Sequence, residues 1–288
     1  MVIDGTIGII EKGSVKEITA ANIHVTGVCN YHCEHCFEKH LVRKWMTPEE
    51  WRPYLEKFKE RSIGKVNIAG GEPMTYPYLD ELCHLLKSMG FVVSIVSNGS
   101  LMTEEWVSKM TGVLDWIGLS IDSPDEEDEI EIGRHMKGVE HLNNVRKLAK
   151  IIKNHGIKFK LNITVLKRSW QKDFIPLIEE LKPDRVKVFR ALTLKNANDD
   201  IEDTWSISDE EFDYFKIRHK GCDNIVFEDC KEIVGSYLMV DPLGRCMIDK
   251  GNEKRLLPFS SFTDGSLFSE LDVDKYYARG GDYWSKRG

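Results

Sequence analysis

The chain has 288 residues, 41% of them hydrophobic, and a formal net charge of −7. That length fits one barrel-sized domain or two ordinary ones and supplies a substantial core. The acidic balance excludes a broad basic surface for duplex nucleic acid, so any anionic ligand needs a local cluster of cations.

In chain order, the first strand-like run is ANIHVTG at 21–27, and it ends in a loop carrying Cys29, Cys33 and Cys36. A charged helix follows from Pro48 to about Arg61. KVNIA at 65–69 is the second strand, leading into Gly70, Gly71, Glu72 and Pro73, with a helix near Leu79 to Met89. The third strand, FVVSIVSN, ends at Asn98 before a helix opened by Thr103. DWIGLSID ends at Asp122, and the acidic run SPDEEDEIEI after it reads as a solvated loop. A long helix spans about Gly138 to His155, IKFKLNITVL is the fifth strand, a helix lies near Asp173 to Leu181, and RVKVFRAL is the sixth strand. From about Ser208 the elements become shorter and mixed.

Apolar strands alternating with amphipathic helices predict a parallel sheet with helices on one side. Six such units suit an α/β fold, a partial (β/α)6 barrel of the TIM-like type, with function gathered at the carboxyl ends of the strands. The expected organisation is an N-terminal extension over 1–17, a core over 18–207 and a C-terminal extension over 208–288 that closes the mouth.

Three cysteines in a CxxxCxxC spacing can each hold one corner of a 4Fe-4S cluster and leave the fourth iron open. The alternatives are zinc, with His32 or His35 as a fourth ligand, and a disulfide framework. Both histidines sit inside the cysteine loop, where ligation is cramped. Seven cysteines is an odd number, and Cys83, Cys222, Cys230 and Cys246 are scattered. The last three form no set with the spacing of a second cluster.

Charged residues inside apolar strands are the second signal. Lys65, Lys160 and Lys187 lie on three different strands, and the period of two puts Asn67, Asn162 and Arg185 on the faces they share. Any one lysine is explained by snorkelling to solvent or by a carboxylate partner. Three together invite a shared anion, because unpaired buried charge is costly.

The paired motifs, CxxxCxxCF after one strand and GGEP after the next, resemble the radical S-adenosylmethionine (SAM) enzymes. The segments VSIVSNGSL, IGR, FKLN, RVKVF, SYLMVD and ARGGDYWSK narrow the resemblance to the viperin family, from about Ile18 to the end. The resemblance implies an antiviral dehydratase that converts a ribonucleoside triphosphate (CTP, UTP or GTP) to its 3'-deoxy-3',4'-didehydro form. It implies a cluster held by Cys29, Cys33 and Cys36, and SAM held by Gly70, Gly71, Glu72, Ser97, Asn98, Ser120, Arg134 and the backbone beside Phe37. The implied substrate groups are Asn22, Lys65, Asn67, Lys160, Asn162, Arg185, Lys187, Lys254 and Arg279, with Tyr237 near the substrate as a late hydrogen or proton donor. Arg190, His135 and Ala69 depart from the family pattern, which leaves the base open.

Competing readings keep the radical core but change the substrate, as in a GTP cyclase of molybdopterin biosynthesis or a peptide-modifying enzyme. A further one makes the cluster part of a non-catalytic interaction protein. A flavodoxin or ferredoxin system is the expected electron donor. No run of about eighteen apolar residues occurs, so no membrane helix is expected. The opening residues lack the basic flank of a secretion signal, and a cytoplasmic, reducing location follows as the expectation.

Overall fold

The computed structural model describes residues 16–195, 197–198, 201, 204–222 and 224–285. All but the last two residues of the expected 1–17 extension therefore lie outside the described residues.

Ten strands form one sheet: β1 (Ala20–His24), β2 (Lys65–Ala69), β3 (Val92–Ser97), β4 (Trp116–Ile121), β5 (Lys158–Val165), β6 (Arg185–Arg190), β7 (Ile225–Glu228), β8 (Leu238–Val240), β9 (Cys246–Lys250) and β10 (Glu253–Leu257). Their order is β10-β9-β8-β1-β2-β3-β4-β5-β6-β7. Strands β1 to β6 are parallel neighbours in sequence order, as the alternating pattern predicts. β7 joins beside β6 and β8 beside β1, both parallel, while β9 and β10 are antiparallel. The segment beyond residue 208 thus extends both edges of one sheet.

The helices are α1 (Pro48–Glu60), α2 (Leu79–Ser88), α3 (Glu104–Lys109), α4 (Glu126–Glu131), α5 (His141–Asn154), α6 (Ile175–Leu181), α7 (Asp209–Arg218) and α8 (Cys230–Ile233), with short turns beyond. α1 starts where it does because Thr47 and Glu50 form a reciprocal capping box and Pro48 occupies the first turn. Its buried Trp51, Leu55 and Phe58 recur at helical spacing and join the same core as Val66, Ile68, Val93 and Ile95 of the sheet. The helix expected from Gly138 begins at His141, because Met136 and Val139 pair as a short bridge first.

The acidic run after β4 is not a solvated loop. It forms α4, in which Glu129 is fully buried and accepts from the backbone N–H groups of Asp122 and Ser123. A carboxylate in that place satisfies amide groups where β4 ends, which composition alone does not reveal.

One face of the sheet carries polar residues in rows set by the register. Asn22, Asn67 and Ser94 are successive partners across β1 to β3, and Ser120, Asn162 and Lys187 are partners across β4 to β6. Gly118 lies beside Lys160, where an added Cβ would meet Lys160 Cε at 2.8 Å, so the glycine leaves room for the lysine stem.

Candidate active site

Two loops that follow β1 and β2 are clasped to each other. The backbone N–H groups of Gly71 and Glu72 donate to the carbonyls of Thr26 and Val28 at 2.7 and 2.8 Å. Gly70 adopts φ +140°, and a Cβ there would lie 2.4 Å from Thr26 O, so this crossing requires glycine. The far side of the cysteine loop is held by the turn after α4, where His32 N–H and Glu34 N–H donate to Gly133 O and Ile132 O. Gly133 has φ +82°, and a Cβ on it would meet His32 O at 2.3 Å. Gly133→Ala is therefore expected to cost about 1–3 kcal/mol of strain. It should lower both the melting temperature and the iron retained per chain after reconstitution; an unchanged iron content would remove the turn from the support of the loop.

Cys29, Cys33 and Cys36 line one cavity together with Gly70, Gly71 and Glu72. Burial raises all three thiols, Cys36 to about 11. As free groups they are protonated at neutral pH, and a bound iron would have to displace those protons. Among the described residues no three His, Cys, Asp or Glu side chains converge as ligands of one ion. His35 turns to Asp122, with Nε2 and Oδ2 3.4 Å apart, and His32 is exposed, so neither completes a zinc set. Three separate thiols fit a 4Fe-4S cluster.

Glu72 is fully buried and its carboxylate accepts from Ser97 Oγ, Asn98 N and Met74 N at 2.7, 2.7 and 3.0 Å. Asn98 in turn donates to Asn30 of the cysteine loop at 2.9 Å. Arg134 donates through Nε to Asp122 Oδ2, with Glu129 at 3.6 Å. Burial opposes the Asp122 carboxylate, yet Arg134 and His35 hold it below its ordinary range. Phe37, Ser97, Asn98, Ser120 and Arg134 all line the same cavity.

The cations expected from the strands meet in that cavity. Lys65, Lys160, Lys187 and Arg279 are each at most 8% exposed, and Arg185 lies against them. Lys65 donates to Tyr283 Oη, and Arg185 stacks over the Tyr283 ring at 4.2 Å. Arg279 is fixed by Ser236, through Nε to Oγ at 2.9 Å and through a terminal nitrogen to the carbonyl at 2.8 Å. One carboxylate answers them: Glu228, 2.7 Å from Lys187 Nζ. Burial, with Lys187 and Arg185 adding to it, lowers Lys160 to about 7, and burial lowers Lys187 to about 8 against the pull of Glu228.

These shifts have a measurable sign. A triphosphate raises both lysines by pairing with them, so binding takes up protons above pH 7. Nucleotide affinity is expected to fall from pH 7.5 to 9.5, by up to about tenfold per unit for each proton taken up. Titration calorimetry in buffers of different ionisation heat measures that uptake directly; pH-independent affinity would place the anion elsewhere. Without ligand the sign reverses: the unfolded lysines hold protons that the folded ones have lost, so their contribution to stability rises with pH from about 7.

Asn22, Asn67 and Asn162 line the cavity, and the Oδ1 atoms of Asn67 and Asn162 are buried without a hydrogen-bond partner. Tyr237 donates to Glu228 and accepts from Lys187 Nζ at 2.7 Å, with Arg279 over its ring at 3.6 Å. Lys254 is placed differently from the other cations. Its Nζ is 2.9 Å from Glu38 and 3.3 Å from Phe37 O, and it is not among the groups that line the cavity. The residues that the sequence reading missed are mostly partners: Glu228, Tyr283, Asp122, Glu129, His24 and Asp249. Glu228 had one signal, a carboxylate ending the apolar strand IVFE.

The radical SAM superfamily model matches residues 23–181. A protein named S-adenosylmethionine-dependent nucleotide dehydratase, from Thermoplasmatales archaeon (strain ISO4-H5), is 55% identical over 95% of this chain and 98% of its own. One of the same name from Lacinutrix mariniflava is 34% identical over 95% of this chain and 60% of its own. The S-adenosylmethionine-dependent nucleotide dehydratase RSAD2 of Danio rerio is 32% identical over 93% and 79%. Among solved structures, Streptococcus suis SuiB bound to S-adenosylmethionine has a TM-score of 0.63 at 18% identity, covering 92% of this chain and 68% of that one. At that identity the likeness concerns the fold.

Proposed function

The chain belongs to the radical SAM superfamily and, within it, to the S-adenosylmethionine-dependent nucleotide dehydratases, and from that premise we propose that it removes water from a ribonucleoside triphosphate in the cavity described above. The observation that carries the reading is an unbalanced charge. Four cations, Lys65, Lys160, Lys187 and Arg279, line a buried cavity shared with three thiols and the Gly-Gly-Glu loop, and Arg185 as a fifth and the carboxylate Glu228 act on them without lining it. A triphosphate carries about four negative charges, which matches the excess these groups carry once its binding has protonated the lysines. A peptide substrate, the alternative, would match these cations only with a cluster of its own acidic side chains.

Cys29, Cys33 and Cys36 would hold the cluster, and Gly70, Gly71, Ser120, Arg134 and the backbone beside Phe37 would hold SAM, with Glu72, Ser97 and Asn98 fixing the loop. When bound, these two groups supply a 5'-deoxyadenosyl radical able to take the hydrogen at C4' of the ribose. The chain's own part is to anchor the triphosphate on the cations and to present the ribose to the thiol end of the cavity. Asn22, Asn67 and Asn162, the last two with unspent Oδ1 acceptors, would orient the sugar. Glu228, Tyr237 and Lys187 form a hydrogen-bonded chain suited to moving a proton as the 3'-hydroxyl leaves as water, and the sugar radical that remains would take one electron from the external reductant to give the didehydro product. The didehydro product, a terminator of polymerases, gives the proposed antiviral role. A cytoplasmic enzyme served by a flavodoxin or ferredoxin system accords with this chemistry, and no helix among the described residues is long and apolar enough to cross a membrane.

The test is an anaerobic assay with reconstituted cluster, reductant, SAM and each ribonucleoside triphosphate in turn. The expected products are 5'-deoxyadenosine and a nucleotide lighter by one water. Slow SAM cleavage with no nucleotide changed in mass would leave the superfamily assignment standing and remove the dehydratase reading.

A further inference from the structure

Two carboxylates that line the cavity, Glu38 and Asp249, are given no role by the SAM groups or the triphosphate cations; Glu38 is paired with Lys254 and His24, which leaves Asp249. It lies on β9, is 5% exposed, and lines the same cavity. Its Oδ1 is buried without a hydrogen-bond partner. The charges that act on it are Lys254, its register partner on β10, and Glu38; none of the five triphosphate cations is among them. Lys254 is itself engaged by Glu38 and the Phe37 carbonyl. A buried acceptor with nothing to accept from is costly unless a ligand supplies the donor.

An anion cannot be that ligand, since the carboxylate would repel it. The ribose is claimed by the three asparagines of the cavity. What is left of the nucleotide is the base. We infer that Asp249 reads the substrate base by accepting a hydrogen bond from an exocyclic amino group, so that the enzyme selects an amino-bearing base over the counterpart that lacks that group. This inference rests on the dehydratase reading and names the part of the substrate which that reading leaves open. Burial brings the Asp249 carboxyl up to about 6, so near pH 7.5 it is chiefly ionised and is an acceptor only. Cytosine presents an amino donor where uracil presents a carbonyl oxygen. Against that oxygen the carboxylate meets a second acceptor, and the pair repels. Guanine and hypoxanthine form a second matched pair, differing by the amino group at C2. A carboxylate accepting from a base amino group is an established reading contact.

The experiment uses the reconstituted holoenzyme with SAM and compares CTP with UTP, and GTP with ITP, by kcat/KM for the dehydrated product at pH 7.5. The amino member of whichever pair is turned over should be favoured by about ten- to a hundredfold, the size of one good base contact. Asp249→Asn turns one acceptor into a donor and should shrink or invert the CTP to UTP ratio while SAM affinity stays the same. Equal turnover within the pairs, or preference for the member without the amino group, by the native enzyme overturns the inference and leaves the dehydratase reading intact. A variant that changes the KM for SAM and not the base ratio also overturns it, by assigning Asp249 to the adenine of SAM. Failure of every triphosphate to lose water is the separate result that removes the reading beneath it.

Discussion

Cys33→Ala is expected to abolish both the cluster and SAM cleavage, with no 5'-deoxyadenosine above background. Cys33 is the middle thiol of the loop, and both neighbouring amides, His32 N–H and Glu34 N–H, are tied to the turn after α4. The backbone of the loop is thus held independently of the thiol, so the variant should remain folded while losing one of three corners. Iron per chain, the visible absorption of the reconstituted protein and single-turnover SAM cleavage should all fall together. Cys230→Ala is the matched control. Its thiol donates to the Ala191 carbonyl and does not line the cavity, so iron content and cleavage should match the native enzyme. Normal cleavage by Cys33→Ala would remove the three-thiol cluster from the mechanism, and loss of iron in Cys230→Ala would point to a second cluster.

Lys160→Met should move stability and nucleotide affinity in opposite directions. Lys160 is 5% exposed and is repelled by Lys187 and Arg185, so without a bound anion it is a net burden on the fold. Methionine has a similar length and fills the space beside Gly118 without a charge. The free protein should be unchanged or up to about 2 kcal/mol more stable, as when buried charge is replaced by apolar groups. Nucleotide binding should weaken by about 2 kcal/mol, some thirtyfold, the scale of one charge-assisted hydrogen bond. Cluster content and SAM binding should stay the same. A lower melting temperature with unaltered nucleotide affinity would make Lys160 structural and take the triphosphate away from this end of the cavity.

The sheet was legible because its strands are apolar runs with turn residues between them, and the cysteine and glycine motifs because their chemistry imposes fixed short spacings. The buried cations were legible for a related reason: lysine at Lys65, Lys160 and Lys187 interrupts an apolar pattern, and an interruption repeated on several strands marks a common cavity. Partners were not. Glu228 meets Lys187 from another strand, Tyr283 reaches Lys65 from the far end of the chain, and Glu129 caps amide groups from inside a run that reads as solvated. Such pairings are set by tertiary placement, which local composition does not encode. Lys254 shows the converse: a cation expected at the triphosphate is instead committed to Glu38.

The position of β1 bears on how the protein is made. β1 leads into the cysteine loop, yet one of its two neighbours is β8, so that Ala21, Asn22 and Ile23 pair with Leu238, Met239 and Val240. During synthesis that strand emerges early and keeps an open edge until the last fifth of the chain has left the ribosome. Pairing across such a separation is slow, and an unpaired apolar edge is a site for misassociation. Iron delivered before that closure would meet a loop rooted in an incomplete sheet. A chain cut short before β8 would carry every cysteine of the motif and both clasps on their loop, from Gly71 and Glu72 and from the turn after α4, on a strand with one edge left open.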